Sequence, residues 1–311
     1  MTSVIAPELE SQMAGRKMVF PDFHHLFAPI GTDIFFADCW QQRSVNFSLT
    51  RNAFVQIIRE VGPLDIAHFA RVAREGVRAW IANEYIEHSV LPVDAENARK
   101  LFDIGATLYF INIPLERLTN AVADFLGAPR QKIVASMFLT PPGGGASPHF
   151  DKNENFTIQL TGRKQWVVDV IPMAAAPLDG YVLGQPVPSS LRNLLGNTGG
   201  QLKQTIDIRA GDMLYVPRGA VHQTFSDEMS WSLNLSYVPF SWVDIIRVGL
   251  CRRLEQSARW RGSVAGMGDK CDMAAHQANI FRDLIVKLRD MLNDPAEVDR
   301  ICQDLFDKPG T

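Results

Sequence analysis

Between Lys132 and Pro239 the chain breaks into short β-forming runs, "KIVASMFLT", "FTIQL", "QWVVDVI", "QTIDI", "DMLYVP", "HQTFS" and "WSLNLSYV", with Gly, Pro, Asn and Asp between them. Short runs rich in Val, Ile, Thr, Phe, Tyr and Trp, punctuated this often, read as strands. At this spacing they specify an antiparallel sandwich or barrel. One interval departs from the rhythm: "PMAAAPLDGYVLGQPVPSSLRNLLGNTGG", residues 172–200. It is too long for a hairpin turn and reads as a loop insertion placed to cover the mouth of a site.

The flanks have a different period. From Phe20 to about Ala79 the pattern is mainly helical: "FFADCWQQR" and "LTRNAFVQIIREVG" space apolar residues three and four apart, and Gly62 supplies a stop. "ATLYFINI" (106–113) is β-rich, and Pro114 then opens a helix whose face is Leu115, Leu118, Val122 and Phe125, ending at Gly127. After Pro239 the chain returns to helix. Ser241 caps a helix running toward Trp260, Ile280, Leu284, Leu288 and Met291 share one side of the next, and Asp294, Pro295 and Glu297 mark the start of a last one. The expected organisation is α+β: residues 1–105 as a helical and strand segment packed on the core, 106–240 as the β-barrel, and 241–311 as helices.

Net charge is -3 over 311 residues, with acids and bases interspersed, so composition gives no footprint for nucleic acid or an anionic membrane. No apolar run reaches the length of a membrane span, and no basic-then-apolar leader opens the chain. Cys39, Cys251, Cys271 and Cys302 lie far apart without a C-x-x-C pair. That pattern fits reduced structural thiols and a cytoplasmic protein.

Chemistry concentrates in "ASPHFDKNENFTIQLTGRKQWVV" (146–168) and "AGDMLYVPRGAVHQTFS" (210–226). In a strand, His149 and Asp151 point to the same face and can bind one ion. His222, opening a later strand, is the natural third ligand. Two imidazoles and one carboxylate leave one face of an octahedral iron open, which suits a 2-oxo acid and O2. A co-substrate with two carboxylates also needs a fixed cation at its far end. Lys164 is placed for that, just past the turn at Thr161 and Gly162, on a strand expected to pair back on the one following the H-x-D. Arg163 is the alternative, although alternation sends it to the opposite face. In "WSLNLSYV", Ser232, Asn234 and Ser236 alternate with apolar residues. Either the strand is a half-buried edge or its polar face looks inward, bringing Asn234 toward the co-substrate, with Asn155 across the barrel. His24, His25, His68, His88 and His276 fall outside the β-region and read as structural or surface residues.

With these residues in place, the chain from about Asp33 to Tyr237 resembles the jumonji-C-related cupin oxygenases, most closely the ribosomal oxygenase (cupin-4) branch. The likeness is strongest in "GATLYFINI", "SMFLTPPGGGASPHFDKNENFTIQLTGRKQWVV" and "GDMLYVPRGAVHQTFS". It implies a double-stranded β-helix (cupin or jelly-roll) core with N-terminal packing helices and a C-terminal helical region that dimerises. It also implies Fe(II) on His149, Asp151 and His222, 2-oxoglutarate paired with Lys164 near Asn155 and Asn234, and O2 as oxidant. Many relatives carry threonine three residues before the first histidine, where this chain has Ala146. Ser147 is the residue expected to replace that hydroxyl. The implied reaction is hydroxylation of an unactivated C–H bond, on an amino-acid side chain in a protein or peptide. The alternatives are a tailoring hydroxylase of a free amino acid or natural product, and a metal-binding cupin without oxygenase activity.

Overall fold

The β-runs build two antiparallel sheets in the computed structural model, which describes residues 23–81, 89–187, 189, 191–192, 202–263 and 273–306. The strands, in chain order, are β1 (Val45–Ser48), β2 (Val77–Ile81), β3 (Ser89–Val93), β4 (Thr107–Phe110), β5 (Ile133–Thr140), β6 (Gly145–Phe150), β7 (Glu154–Thr161), β8 (Arg163–Asp169), β9 (Tyr181–Val182), β10 (Lys203–Arg209), β11 (Asp212–Val216), β12 (His222–Phe225) and β13 (Ser230–Tyr237). The large sheet runs β1-β11-β7-β13-β5-β4-β2-β3 and the small one β10-β8-β12-β6-β9. Successive strands alternate between sheets from β5 to β8 and again from β10 to β13, which is the winding of a double-stranded β-helix.

β7 and β8 show why. They were expected to form a hairpin, yet β7 pairs with β11 and β13 while β8 pairs with β10 and β12. The turn at Gly162 is therefore a crossover from one sheet to the other. Gly162 has φ +67, and a Cβ there would sit 2.5 Å from the Met229 carbonyl oxygen, so no larger residue fits the corner.

Alternation on the large sheet sorts its side chains by polarity. Ala135, Met137 and Leu139 of β5, Phe156, Ile158 and Leu160 of β7, and Trp231, Leu233 and Leu235 of β13 are buried in one apolar core. Helices α1 (Arg51–Val61), α2 (Ile66–Val72), α3 (Ala95–Asp103) and α4 (Glu116–Leu126) lie in the same compact unit, and Ile57, Phe69, Ala98, Leu118 and Val122 contribute to that core. Each large side chain buried this way contributes about 1.5–3 kcal/mol. The opposite face of the same strands is polar and looks into the barrel. β13 is thus a central strand buried on both faces, and the half-buried edge does not hold.

Local signals explain the helices. The Thr50 hydroxyl accepts from the Ala53 N–H at the start of α1, and Gly62 ends it at φ 76. α4 buries Leu118, Val122 and Phe125 and stops at left-handed Gly127, as its sequence spacing requires. The region before Ala79 is less helical than its periodicity predicts. β1 and β2 lie within it, and Phe35–Cys39 forms a π-helical turn. β1 is only four residues long and gains its hydrogen bonds from β11, a partner remote in sequence that no local pattern reveals.

Residues 240–311 form a second compact unit. α5 (Trp242–Glu255) begins in a capping box, with Ser241 Oγ accepting from the Asp244 N–H at 3.0 Å and the Asp244 carboxylate accepting from the Ser241 N–H at 3.2 Å. α6 (Met273–Asn293) and α7 (Pro295–Phe306) follow. No helix among the described residues is long and apolar enough to cross a membrane. His88, Cys271, residues 1–18 and the 193–200 part of the insertion lie outside the described residues, as does the side chain of His276.

Candidate metal centre and its cavity

The two sheets enclose a cavity of about 340 Å³. At one wall, β6 and β12 pair in the small sheet and bring His149 directly opposite His222. Asp151 follows at the end of β6. The ligand atoms of His149, Asp151 and His222 all lie within 4.8 Å of one another, and His222 Nε2 is 3.8 Å from Asp151 Oδ2. His149 Nδ1 is 2.6 Å from the Ser147 carbonyl oxygen, and His222 Nδ1 is 3.1 Å from that of Ala220. A carbonyl oxygen only accepts, so each Nδ1 carries a proton and each Nε2 is left as a lone-pair donor. Burial, with the His149 ring beside it, pushes His222 down to about 4, which keeps its imidazole neutral.

Polar residues of the large sheet support Asp151. Asn155 Nδ2 donates to Asp151 Oδ2 at 2.8 Å, while Asn155 Oδ1 accepts from Asn234 Nδ2 at 3.0 Å and from the Ser236 hydroxyl at 2.8 Å. Asn234 Oδ1 accepts from Thr157 at 3.1 Å, and its Nδ2 also donates to Ser236 at 3.0 Å. Both asparagines line the cavity, yet their amide groups are engaged with each other and with Asp151. Their bonds orient the Asp151 carboxylate, and both side chains stand on the cavity wall where the sequence placed them.

Below this lies a second, unanticipated cluster. Glu154 is fully buried; it accepts from the Tyr215 hydroxyl at 2.6 Å and the Arg218 backbone N–H at 3.3 Å, and lies 3.4 Å from the Arg218 guanidinium. Desolvation raises its pKa against these partners. Gly219, next to Arg218, donates its N–H to the Asp151 carbonyl at 2.8 Å, so the cluster joins the loop after Asp151 to the loop before His222. The hint in the sequence is a carboxylate opening β7 on the face that carries Phe156, Ile158 and Leu160.

Lys164 stands at another part of the cavity, 3% exposed. Its ammonium donates to Ser232 Oγ at 2.9 Å and sits 5.9 Å from the Phe138 ring centroid. No carboxylate among the described residues pairs with it. Burial without a counter-charge pushes its pKa down to about 7. The lining threonines Thr107 and Thr140 have buried hydroxyls without a hydrogen-bond partner among the described residues. Arg163 points outward, near Asp207 and Asp227.

Ser147 does not face this space. β6 runs three residues from Ala146 to His149 where β12 runs two from Thr224 to His222, a β-bulge that shifts the alternation. Ala146 and His149 line the cavity, and Ser147 instead accepts from the Trp80 indole N–H at 3.4 Å. A hydroxyl is nevertheless present at this place. Thr224, the register partner of Ala146, lines the cavity and accepts from the Ala146 N–H at 2.9 Å, leaving its own proton to donate. A cross-strand substitution of this kind is invisible to a search along the chain.

Residues 109–244 match the family described as the JmjC domain. The match spans 136 of the chain's 311 residues, the part that holds most of the cavity lining and the His149, Asp151 and His222 cluster. The JmjC domain's relatives include the bifunctional lysine-specific demethylase and histidyl-hydroxylase NO66 of Drosophila melanogaster, 35% identical over 40% of this chain and 18% of that protein. Ribosomal oxygenase 1 of Danio rerio is 26% identical over 72% of this chain and 42% of its own length. The chain thus spans less than half of either relative. Among solved structures, Escherichia coli ycfD superposes with TM-score 0.53 at 20% identity, covering 86% of this chain and 69% of that one. The YcfD ribosomal oxygenase in complex with cobalt and 2-oxoglutarate gives TM-score 0.52 at 18% identity, covering 88% and 70%. At this level of identity the superpositions show a shared fold.

Proposed function

We propose that the protein is an Fe(II)- and 2-oxoglutarate-dependent oxygenase that hydroxylates a C–H bond on an amino-acid side chain of a protein or peptide. One observation carries this reading: a two-histidine, one-carboxylate cluster opens into the same cavity as a buried lysine that has no anionic partner among the described residues. A cupin that merely binds metal has no use for a dicarboxylate clamp. The resemblance to NO66 and to ribosomal oxygenase 1 supports a protein substrate.

The residues fit both groups. His149, Asp151 and His222 would hold Fe(II) through neutral Nε2 atoms and one carboxylate oxygen, leaving coordination positions free. Lys164 would take the distal carboxylate of 2-oxoglutarate, with Thr224 as a hydroxyl donor in the same cavity. When bound, Fe(II) with 2-oxoglutarate and O2 supplies an oxidative decarboxylation that places one oxygen atom in a C–OH bond and the other in succinate, releasing CO2. The chain's own part is to orient and exclude. Asn155 fixes the Asp151 carboxylate, backbone carbonyls fix the imidazole tautomers, and the core behind the large sheet keeps that side of the cavity dry.

Anaerobic addition of Fe(II) and then 2-oxoglutarate tests the reading. A visible charge-transfer band at roughly 500–530 nm, lost in His149→Ala, is expected for such a chelate. Its absence in folded, iron-loaded protein overturns the assignment.

A cytoplasmic location is supported by the free thiols of Cys39, Cys251 and Cys302. In the C-terminal unit, Trp242, Val243 and Ile246 on α5 and Phe281 and Ile285 on α6 are exposed, and a second copy of this chain is the partner we assign to them. A full-length protein that sediments as a monomer would overturn that.

A further inference from the structure

The NO66 relative is named for histidyl and lysine targets, but which side chain enters this chain's cavity depends on the charges of its own walls. The large sheet aligns Ser232, Phe138, Tyr109 and Arg78 as consecutive ladder partners across β13, β5, β4 and β2. Three strand spacings separate the first from the last, roughly 14 Å. Lys164 is hydrogen-bonded to the first of these residues, and Arg78 is the last. A five-carbon dicarboxylate held by Lys164 and the metal has both of its carboxylates engaged, which leaves none for Arg78. Next along the same face of β2, Trp80 lies against His149 with ring centroids 4.9 Å apart and planes tilted by 42°, so the Arg78 side of the cavity adjoins the metal ligands. Tyr109, buried between, has its phenol pKa raised chiefly by desolvation, and it feels both the Asp151 carboxylate and the Arg78 guanidinium.

The ionic inventory of the lining is short. Arg78 and Lys164 are its cations, and Asp151 is its carboxylate among the described residues. In the loaded cavity the charges of Fe(II) and protonated Lys164 are matched by Asp151 and the two carboxylates of 2-oxoglutarate. Arg78 is left over. It has no ion pair among the described residues, it faces solvent at the cavity mouth, and one Asp151 oxygen is already taken by Asn155. A cationic side chain entering here would meet a like charge and find no acidic partner, which costs affinity on both counts.

We infer that the substrate presents a carboxylate to Arg78, so that the hydroxylated residue is acidic or directly flanks an acidic group. This rests on the oxygenase reading above and narrows it. The carboxylate belongs either to an Asp or Glu side chain within a peptide or to the main-chain carboxylate of a free amino acid or peptide C-terminus. Trp80, Tyr109 and Tyr181 form the apolar walls beside it.

Succinate formation by the full chain with Fe(II), 2-oxoglutarate and O2 provides the test. Matched peptide pools centred on Asp/Glu, on Arg/His and on neutral residues are compared, each with blocked and free C-termini, alongside free amino acids. The acidic pools should stimulate turnover at least about tenfold over the basic ones, the gain expected for one matched against one mismatched charge. Blocking the terminus distinguishes the side-chain source from the main-chain source. Arg78→Met should raise the KM for the stimulating pool about tenfold or more, and Arg78→Glu should turn the preference toward the Arg/His pool. Stimulation by basic or neutral pools equal to that by acidic ones, indifference to Arg78→Met, or no stimulation by any pool overturns the inference. The visible band measured on the wild type without peptide reports separately on the oxygenase reading, so either can fail alone.

Discussion

The two polar districts of the cavity are built on opposite terms. Beside the His149, Asp151 and His222 cluster, Asn155, Asn234, Ser236 and Thr157 satisfy one another and hold Asp151 in place. Among the described residues, the buried Lys164 ammonium has the Ser232 hydroxyl as its hydrogen-bond partner, and the hydroxyls of Thr107 and Thr140 in the same lining have none. A closed network keeps its geometry without a ligand, whereas an open one is completed by a ligand. The metal district is therefore preorganised, and the lysine district stores an unmet need for anions.

Five outcomes would break or sharpen that contrast. The largest effect belongs to the ligands: His149→Ala or Asp151→Ala should reduce succinate formation to background while the circular dichroism spectrum is retained, and appreciable turnover in either would dissolve the assignment. Next, Lys164→Met should raise the 2-oxoglutarate Kd at least about a hundredfold, with Tm rising by a few degrees because a desolvated cation has been removed. An unchanged Kd would shift the role to another cation.

The same lysine predicts a pH dependence. Its folded pKa, about 7, lies below the ordinary lysine value of 10.5, so the unfolded chain binds more protons between those limits. The stability of the ligand-free protein should accordingly rise as pH climbs from about 7 toward 10. Binding of 2-oxoglutarate requires the proton, so its Kd should be flat below about pH 7 and increase about tenfold per unit above it. Calorimetry at several pH values would show either this slope or its absence.

In the closed district, Asn155→Ala should weaken metal binding by about 10- to 100-fold, the usual cost of losing a ligand's orienting partner. The 2-oxoglutarate affinity at saturating metal should change little. The reverse pattern would return Asn155 to direct co-substrate contact. The smallest effect is expected for Thr224→Val, a loss of about 1 kcal/mol or roughly fivefold in 2-oxoglutarate affinity, with Ser147→Ala neutral.

Much of this was legible along the chain because it depends on local pattern. The alternation of "WSLNLSYV" encodes an apolar and a polar face, and the spacing of His149, Asp151 and Lys164 encodes a shared interior. What stayed hidden depends on pairing between distant segments. Four residues of β1 read as part of a helical region because their partner, β11, lies far down the chain. β7 and β8 looked like a hairpin because nothing local announces a change of sheet at Gly162. Glu154 acquires its meaning from Tyr215 and Arg218, and Thr224 from Ala146, contacts that no window of sequence contains.

The bulge in β6 has a further consequence, for tolerance to changes in length. Because three residues there are matched against two on β12, the phase of the strand is reset just ahead of His149. Deleting one residue from Ser147–Pro148 would restore an even ladder with Ala146 and His149 still on one face, while an insertion would move His149 out of line with His222. The segment should therefore accept many changes of identity at Ser147 and the loss of one residue but not a gain, so that in this stretch an upper limit on length, more than the kind of residue, is what natural variation must preserve.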